Sequence, residues 1–269
     1  MNPAVLTRTE FTRFQELIYR IAGISMTDAK MVLVSGRLAR RLQHYQLRSY
    51  GDYFELLNSP GNGAEMQLAI DLLTTNETFF FREPKHFQFL RDTVLPALPT
   101  NRPVRIWSGA CSSGEEIYSI AMVLADRLGE RPWELIGSDI SARVLERARG
   151  GHYPMERIDE IPPEYLRRFC LKGVGKQAGT ILVDSALRRK AQFRQINLNA
   201  ALPSDLGQFD VVFLRNVMIY FDSNTKREVV RRVAATLRSG GYFLVSHSES
   251  LNGVSDGLQL VSPSIYRKP

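Results

Sequence analysis

Apolar residues recur three and four positions apart through most of the first ~75 residues, a spacing that predicts helices. TRTEFTRFQELIYRIAG sets Phe11, Phe14, Leu17, Ile18 and Ile21 on one stripe and stops near Gly23. Asp28 is placed to cap a second helix running to about Arg48, with Met31, Val34, Leu38, Leu42 and Tyr45 as its apolar stripe. SYGDYFELLNSPG and GAEMQLAIDLLTT predict two more helices, and nothing in this part reads as a strand. Beyond TTNETFFFREP the texture changes. PVRIWSG, WELIGSD, AQFRQINL, FDVVFLRN and GYFLVSHSE are short, nearly continuous apolar runs, the pattern of strands buried on both faces. Helical stretches separate them: EEIYSIAMVLADRLG, SARVLERARG and SNTKREVVRRVAATLRSG. That alternation predicts an α/β fold with a mostly parallel sheet. PPEYLRRFCLKG and GVGKQAGTILVDSALRR interrupt it, the latter reading as a glycine-turned antiparallel hairpin outside the main sheet. The expected organisation is a helical domain at 1–75, a linker and helix at 76–99, and an α/β domain at 100–269 with the insertion at about 160–190.

Composition changes this picture little. With 44% hydrophobic and 23% charged residues, the 269-residue chain is ordinary for a globular protein. No apolar run approaches the ~20 residues of a membrane span, and MNPAVLTRTEF lacks the basic-then-apolar order of a secretory leader. Cys111 and Cys170 form no C-x-x-C pair, which argues for a reducing, cytoplasmic setting and against a disulfide framework or zinc site. The histidines, His44, His86, His152 and His247, are scattered, and no metal is expected. The net charge of +7 suggests an acidic partner.

The loop in RIWSGACSSGEE carries the first chemistry. Gly109 and Gly114 imitate the glycine spacing of a phosphate-binding loop, but Glu115 stands where the phosphate-binding lysine belongs. A carboxylate there repels a triphosphate. GxGxxG is absent, and GACSSG is not a nucleophile elbow. An adenosine cofactor without phosphate fits: S-adenosylmethionine carries a cationic sulfonium and ammonium, and its ribose diol seeks carboxylate acceptors. Asp139, at the end of WELIGSD and about 23 residues after Glu116, stands where α/β nucleotide sites place a ribose-binding acid. Glu115 is open between that chemistry and a simple charge at a helix N-terminus.

TTNETFFFRE, RIWSGACSSGEEIYSIAM, GSDIS, INL, FDVVFLRNVMIYFD and SHSE, in this order and spacing, resemble the CheR family of chemotaxis receptor methyltransferases. The resemblance covers nearly the whole chain. It implies a class I S-adenosylmethionine-dependent methyltransferase, with a Rossmann-like sheet, a helical N-terminal domain and a hairpin subdomain. The implied activity is methyl transfer to receptor glutamates, giving γ-glutamyl methyl esters and S-adenosylhomocysteine. Carried over, it puts cofactor contacts at Asn76, Thr78, Arg82, Glu116, Asp139, Asn197, Leu198, Arg215 and Asn216, and the transfer step at Arg82 and Tyr220. The implied partner is the receptor's cytoplasmic helical bundle, with the chain acting as a monomer on neither nucleic acid nor membrane. Some family members also capture a C-terminal receptor peptide on the hairpin edge, and Gly173, Gly175, Gly179 and TILVD suit that use.

Arg37, Arg41, His44 and Arg48 fall on one predicted helix face, with Arg40 beside them and no acid between Ala29 and Gly51. The resemblance makes this face a receptor-binding surface, with Arg37, Arg40, Arg41 and Arg48 as contacts. Two rivals stay open. One is a nucleic-acid methyltransferase using the basic domain as a platform, although LRNVMIYF lacks the polar-Pro-Pro-aromatic motif common in base amino-methylation. The other is a non-enzymatic sensor of the cofactor or its product.

Overall fold

The computed structural model describes residues 4–269; the first three positions, part of the leader reading and of the 1–75 assignment, lie outside the described residues. α1 (Arg8–Ala22) opens with a reciprocal capping box between Thr7 and Glu10 and ends at Gly23. Its buried stripe of Phe11, Phe14, Leu17 and Ile18 packs on Val34, Leu38 and Leu42 of α2 (Met31–His44). Tyr50 and Tyr53 of α3 (Tyr50–Asn58) and Ala69 and Ile70 of α4 (Gly63–Leu73) complete this core.

Two expectations for α2 are corrected. Asp28 does not cap it: the residue sits inside a 3₁₀ turn, Asp28–Lys30, that runs straight into the helix, and its carboxylate pairs with Arg8. The helix also stops at His44 instead of Arg48, because Gln46 adopts a left-handed φ of 55° and Leu47 N–H closes back onto the Leu42 carbonyl. Arg48 therefore lies in the turn before α3.

The linker leads into α5 (Pro84–Phe89), a π-helical stretch (Leu90–Val94) and α6 (Leu95–Ala97). Then follow β1 (Val104–Ser108), α7 (Glu115–Leu128), β2 (Trp133–Asp139) and α8 (Ala142–Gly150). The insertion comprises β3 (His152–Pro154), α9 (Pro163–Phe169), β4 (Cys170–Lys172), β5 (Thr180–Val183) and α10 (Ser185–Lys190). The chain finishes with β6 (Ala191–Gln195), β7 (Phe209–Phe213), α11 (Ser223–Ala235), β8 (Leu237–Leu244), β9 (Gln259–Ser262) and β10 (Ile265–Arg267).

The main sheet has the order β6-β2-β1-β7-β8-β10-β9. Its first five strands are parallel, and β10 and β9 close it antiparallel. α7 covers one face through Ile117, Ile120 and Leu124, and α11 the other through Val229, Val230 and Val233. The insertion is larger than a hairpin. β3 joins β5 and β4 in a three-stranded antiparallel sheet, so it begins near 151 and not near 160.

From β1 the chain passes to β2 on one side, while β7 lies on the other. Ligands of open α/β sheets bind at such a switch point, beyond the strand C-termini. The helical domain closes over that end. Asp71 of α4 accepts hydrogen bonds from Ala142 N–H (3.1 Å) and Arg143 N–H (3.2 Å) at the start of α8, a favourable place for an acid. Ser25 N–H donates to the Tyr220 carbonyl at 2.8 Å.

Candidate active site

A cleft lies between the sheet rim and the helical domain. Among its lining residues are Asn76, Thr78, Arg82, Glu116, Asp139, Asn197, Leu198, Arg215, Asn216 and Tyr220. These ten positions come from the linker before α5 and from the ends of four strands, β1, β2, β6 and β7, and they meet because those strands end at one level. Arg37, Arg40, Arg41 and Arg48 are not among the lining residues.

The loop after β1 shapes the floor. Gly109 N–H bonds the Phe213 carbonyl at 2.8 Å, and a Cβ at Gly109 would stand 2.9 Å from Leu214 Cδ1. Gly114 has φ 96°, and a Cβ there would lie 2.9 Å from Ala148 Cβ. Only glycine combines that backbone with that approach. The two adjacent glutamates then part company. Glu115 is fully buried, accepting from Ser113 Oγ (2.7 Å) and Arg157 (3.0 Å) of the insertion. Burial raises its carboxyl pKa despite these partners. It joins the loop to the insertion and is absent from the cleft lining. Glu116 faces the cleft and accepts from Ser108 Oγ at 2.7 Å and Arg215 Nη1 at 2.9 Å.

Asp139 closes β2. Its two oxygens accept from Ser112 N–H (3.0 Å) and Ser141 N–H (2.9 Å), which fix the carboxylate's orientation while each oxygen retains acceptor capacity. Burial pushes its carboxyl up to about 6. Leu198 and Ile196 form an apolar wall beside it. Asn197 lines the cleft, but its side chain is already engaged with the Ile21 carbonyl (2.7 Å) and Asn199 N–H (2.9 Å), so it also fastens α1 to the sheet rim.

Arg215 leaves β7 with a side chain only 1% exposed and lies between two carboxylates, Glu116 at 2.9 Å and Glu83 at 3.1 Å. It also donates to the Arg82 carbonyl. Arg82 itself reaches the Glu77 carbonyl (3.3 Å) and stacks 5.4 Å over the exposed Phe79 ring, at the mouth. Asn216 follows with φ 59°, an uncommon conformation for a non-glycine residue. Its backbone N–H, with those of Met218 and Ser246, points at the Glu249 carboxylate at 2.9–3.0 Å, and its amide donates to Ser246 Oγ at 2.7 Å. Burial raises the Glu249 pKa.

Glu83 and Glu249 are absent from the sequence-derived site. Both stand in the motifs FFFRE and SHSE, and for Glu249 an acid shortly after a strand was the available signal.

The basic face of α2 divides. Arg41 makes a two-pronged contact to Glu65 at 2.8 and 2.7 Å, and Tyr53 and Tyr45 hydroxyls complete the network at 2.6 and 3.1 Å. Burial would raise the Glu65 pKa, but these donors hold it below the usual carboxylate range. Arg37 donates to the Leu73 and Thr74 carbonyls at 3.2 and 2.9 Å, fastening α2 to the end of α4. Arg40, His44 and Arg48 remain exposed.

The family model for the CheR methyltransferase all-alpha domain matches residues 9–74, and that for the CheR methyltransferase SAM binding domain matches residues 76–266. The chain belongs to the CheR methyltransferase family. Its relatives include chemotaxis protein methyltransferase 2 of Pseudomonas aeruginosa, 44% identical over 97% of this chain and 93% of that one. The chemotaxis protein methyltransferase of Escherichia coli is 40% identical over 97% and 91%. Among solved structures, TrmN from Thermus thermophilus matches 69% of this chain and 48% of its own at 16% identity, with a TM-score of 0.42. By the two family models and these relatives, this CheR chain is an S-adenosylmethionine-dependent methyltransferase. Among the described residues no helix is long and apolar enough to cross a membrane.

Proposed function

We propose that the chain methylates glutamate side chains of chemotaxis receptors in the cytoplasm, on the receptor's helical bundle, forming glutamyl methyl esters. One observation carries the reading: Glu116 and Asp139 present carboxylates at the ends of adjacent strand–loop units, in a cleft whose loop has no lysine for a phosphate. That donor set fits S-adenosylmethionine, with Asp139 as ribose acceptor, Glu116 beside the cationic amino-acid part, and Leu198 and Ile196 against the base. When bound, the cofactor supplies a methyl group already activated by its sulfonium leaving group.

The chain's own work is positioning. A glutamate substrate is ionised at neutral pH, its reference pKa being ~4.3, so no general base is required. Arg82, half-exposed at the mouth, orients the incoming carboxylate through its planar fork. Tyr220 lines the same cleft and supports the approach. Glu249, by gathering the backbone N–H groups of the Asn216–Met218 turn, keeps the Tyr220 segment in place. Near-attack alignment of this kind can contribute several orders of magnitude in rate.

Receptor approach falls to Arg40 and His44, the exposed part of the basic face, and to Arg48 in the turn beyond it. A receptor peptide tether would add to β4, an edge strand of the insertion sheet, beside the exposed Leu171 and Val174. Calorimetry with a short receptor-tail peptide ending in an aromatic residue tests that point, and absence of heat counts against it. The activity is tested by tritium transfer from labelled S-adenosylmethionine to receptor signalling domain, to RNA, and without acceptor. Base-labile, volatile methanol from the receptor arm alone is the expected result. Label in RNA supports the nucleic-acid reading, and binding without any transfer supports the sensor.

A further inference from the structure

Behind Arg215, away from the ligand-facing carboxylates, Glu83, His86 and His247 converge, their ligand-type atoms within 4.8 Å of one another. His86 is fully buried. Its Nε2 lies 2.7 Å from Ser264 Oγ, and Ser264 Oγ in turn stands 2.6 Å from the Pro263 carbonyl. In one of the two arrangements open to this pair, the serine proton goes to the Pro263 carbonyl and the serine oxygen accepts from His86. Nε2 then carries the ring proton, and Nδ1 presents a bare lone pair. That lone pair has no hydrogen-bond partner. It faces Glu83 Oε2 at 3.4 Å, another acceptor. That Oε2 also accepts from Arg215 at 3.1 Å, and both Glu83 oxygens lie 3.3 Å from the His247 backbone N–H, so the carboxylate is partnered while the buried His86 lone pair is not, and a cation between them would satisfy it. His247 stands at the open side, exposed, with its ring edge-on to His86 at 5.0 Å between centroids.

We propose that Glu83, His86 and His247 form a binding site for a divalent cation of the zinc type. Two imidazoles and one carboxylate are the donor set of many such sites, with a water as fourth ligand. Bonds of ~2.0–2.1 Å in tetrahedral geometry separate ligand atoms by about 3.3 Å. The Glu83–His86 edge already has that separation, and the exposed His247 has the freedom to close the remainder. The Ser264 contact is the outer hydrogen bond that metal-binding histidines characteristically make, holding the ring in the tautomer the metal needs. Glu83 is held in place by Ser246 Oγ at 2.8 Å and by a left-handed backbone, φ 59°. The Arg215 guanidinium, 3.1 Å from Glu83, opposes the cation, so binding is reversible and weaker than in a closed structural zinc site. The proposal rests on this geometry and not on the methyl acceptor.

Tag-free full-length protein, stripped with chelator, is titrated with zinc by calorimetry and with cobalt(II) by absorption spectroscopy. One zinc ion per chain is expected, with cobalt bands of a low-coordinate nitrogen–oxygen site. His247→Ala, at an exposed position, should weaken binding at least about tenfold, and His152→Ala should leave it unchanged. Paramagnetic shifts from cobalt should appear on the ring signals of both His86 and His247. No saturable binding overturns the proposal. So does binding that survives His247→Ala, or cobalt shifts confined to His44 or His152.

Discussion

The sheet rim and the outer face of α2 are both clusters of charge, and they are built in opposite ways. At the rim, Glu83, Glu116, Asp139 and Arg215 arrive from four separate segments and meet only because the strands end together. On α2 the arginines are neighbours in sequence and share a helix, yet the fold divides their duties. Arg41 is locked onto buried Glu65 and Arg37 onto the end of α4, while Arg40 stays in water, as does Arg48 in the turn beyond the helix. Convergence from distant segments marks a site more strongly than local density of one charge. A dense local stripe says which face a side chain takes, and leaves open whether a partner from another helix has already taken it.

The largest expected effect comes from Arg215→Met. It leaves Glu116 and Glu83 as facing carboxylates without their shared cation. Removing one partner of a buried ion pair typically costs about 3–5 kcal/mol, and affinity for S-adenosylhomocysteine should fall with it. Urea unfolding and calorimetry check the two parts, and retention of both would break the picture of the rim. Next comes Arg41→Met, which should destabilise by about 2–3 kcal/mol because Glu65 keeps its tyrosine donors but loses its cation. Cofactor affinity at a temperature where the variant is folded should be unchanged. If Arg41→Met is as stable as the parent, the division of the α2 face is wrong.

A third effect is a pH dependence. Burial places the Asp139 carboxyl at about 6, above the ~3.9 of an unfolded chain. Between these values the folded state binds more protons than the unfolded one. This group's contribution to stability therefore falls as pH rises from about 4 to about 6, by on the order of 2–3 kcal/mol. Ligand affinity should run the other way, since a ribose diol donates to the ionised form. S-adenosylhomocysteine should bind more weakly at pH 5 than at pH 7.5, and Asp139→Asn should flatten that dependence. The smallest effect is charge reversal at Arg40 and Arg48 together. It should raise the Michaelis constant for receptor several-fold, lessen with added salt, and leave stability and cofactor affinity within error.

Much of this was legible in the chain because the signals are local. Helix stripes such as Phe11-Phe14-Leu17-Ile18 and the buried runs RIW and DVVF follow from periodicity alone. The cleft was legible because Gly109, Asp139 and Asn216 each follow a predicted strand, and strand C-termini of a parallel sheet share one edge. What escaped has physical reasons. Asp28 had the identity of a cap, but Arg8 supplied a better partner. β3, β9 and β10 are three or four residues long, too short for an alternation to show; β3 and β10 exist through pairing with β5 and β8, and β9 through its hairpin with β10. Glu115 and Glu116 are adjacent, and only the helix's turn of ~100° per residue sends one to the insertion and the other to the cleft. Glu249 could be quoted as part of SHSE, but its role depends on a turn more than thirty residues earlier in the chain.

The central claim is that the rim accepts a cationic, phosphate-free adenosine ligand through Glu116 and Asp139. Its most direct test is calorimetric titration of one protein preparation at pH 7.5 with S-adenosylmethionine, S-adenosylhomocysteine, ATP and NAD, repeated on Asp139→Asn. Saturable one-to-one binding of the first two, weakened by the substitution, with no detectable heat from ATP or NAD, is the predicted result. Tight binding of ATP or NAD, or methyl-donor binding indifferent to Asp139→Asn, would contradict it.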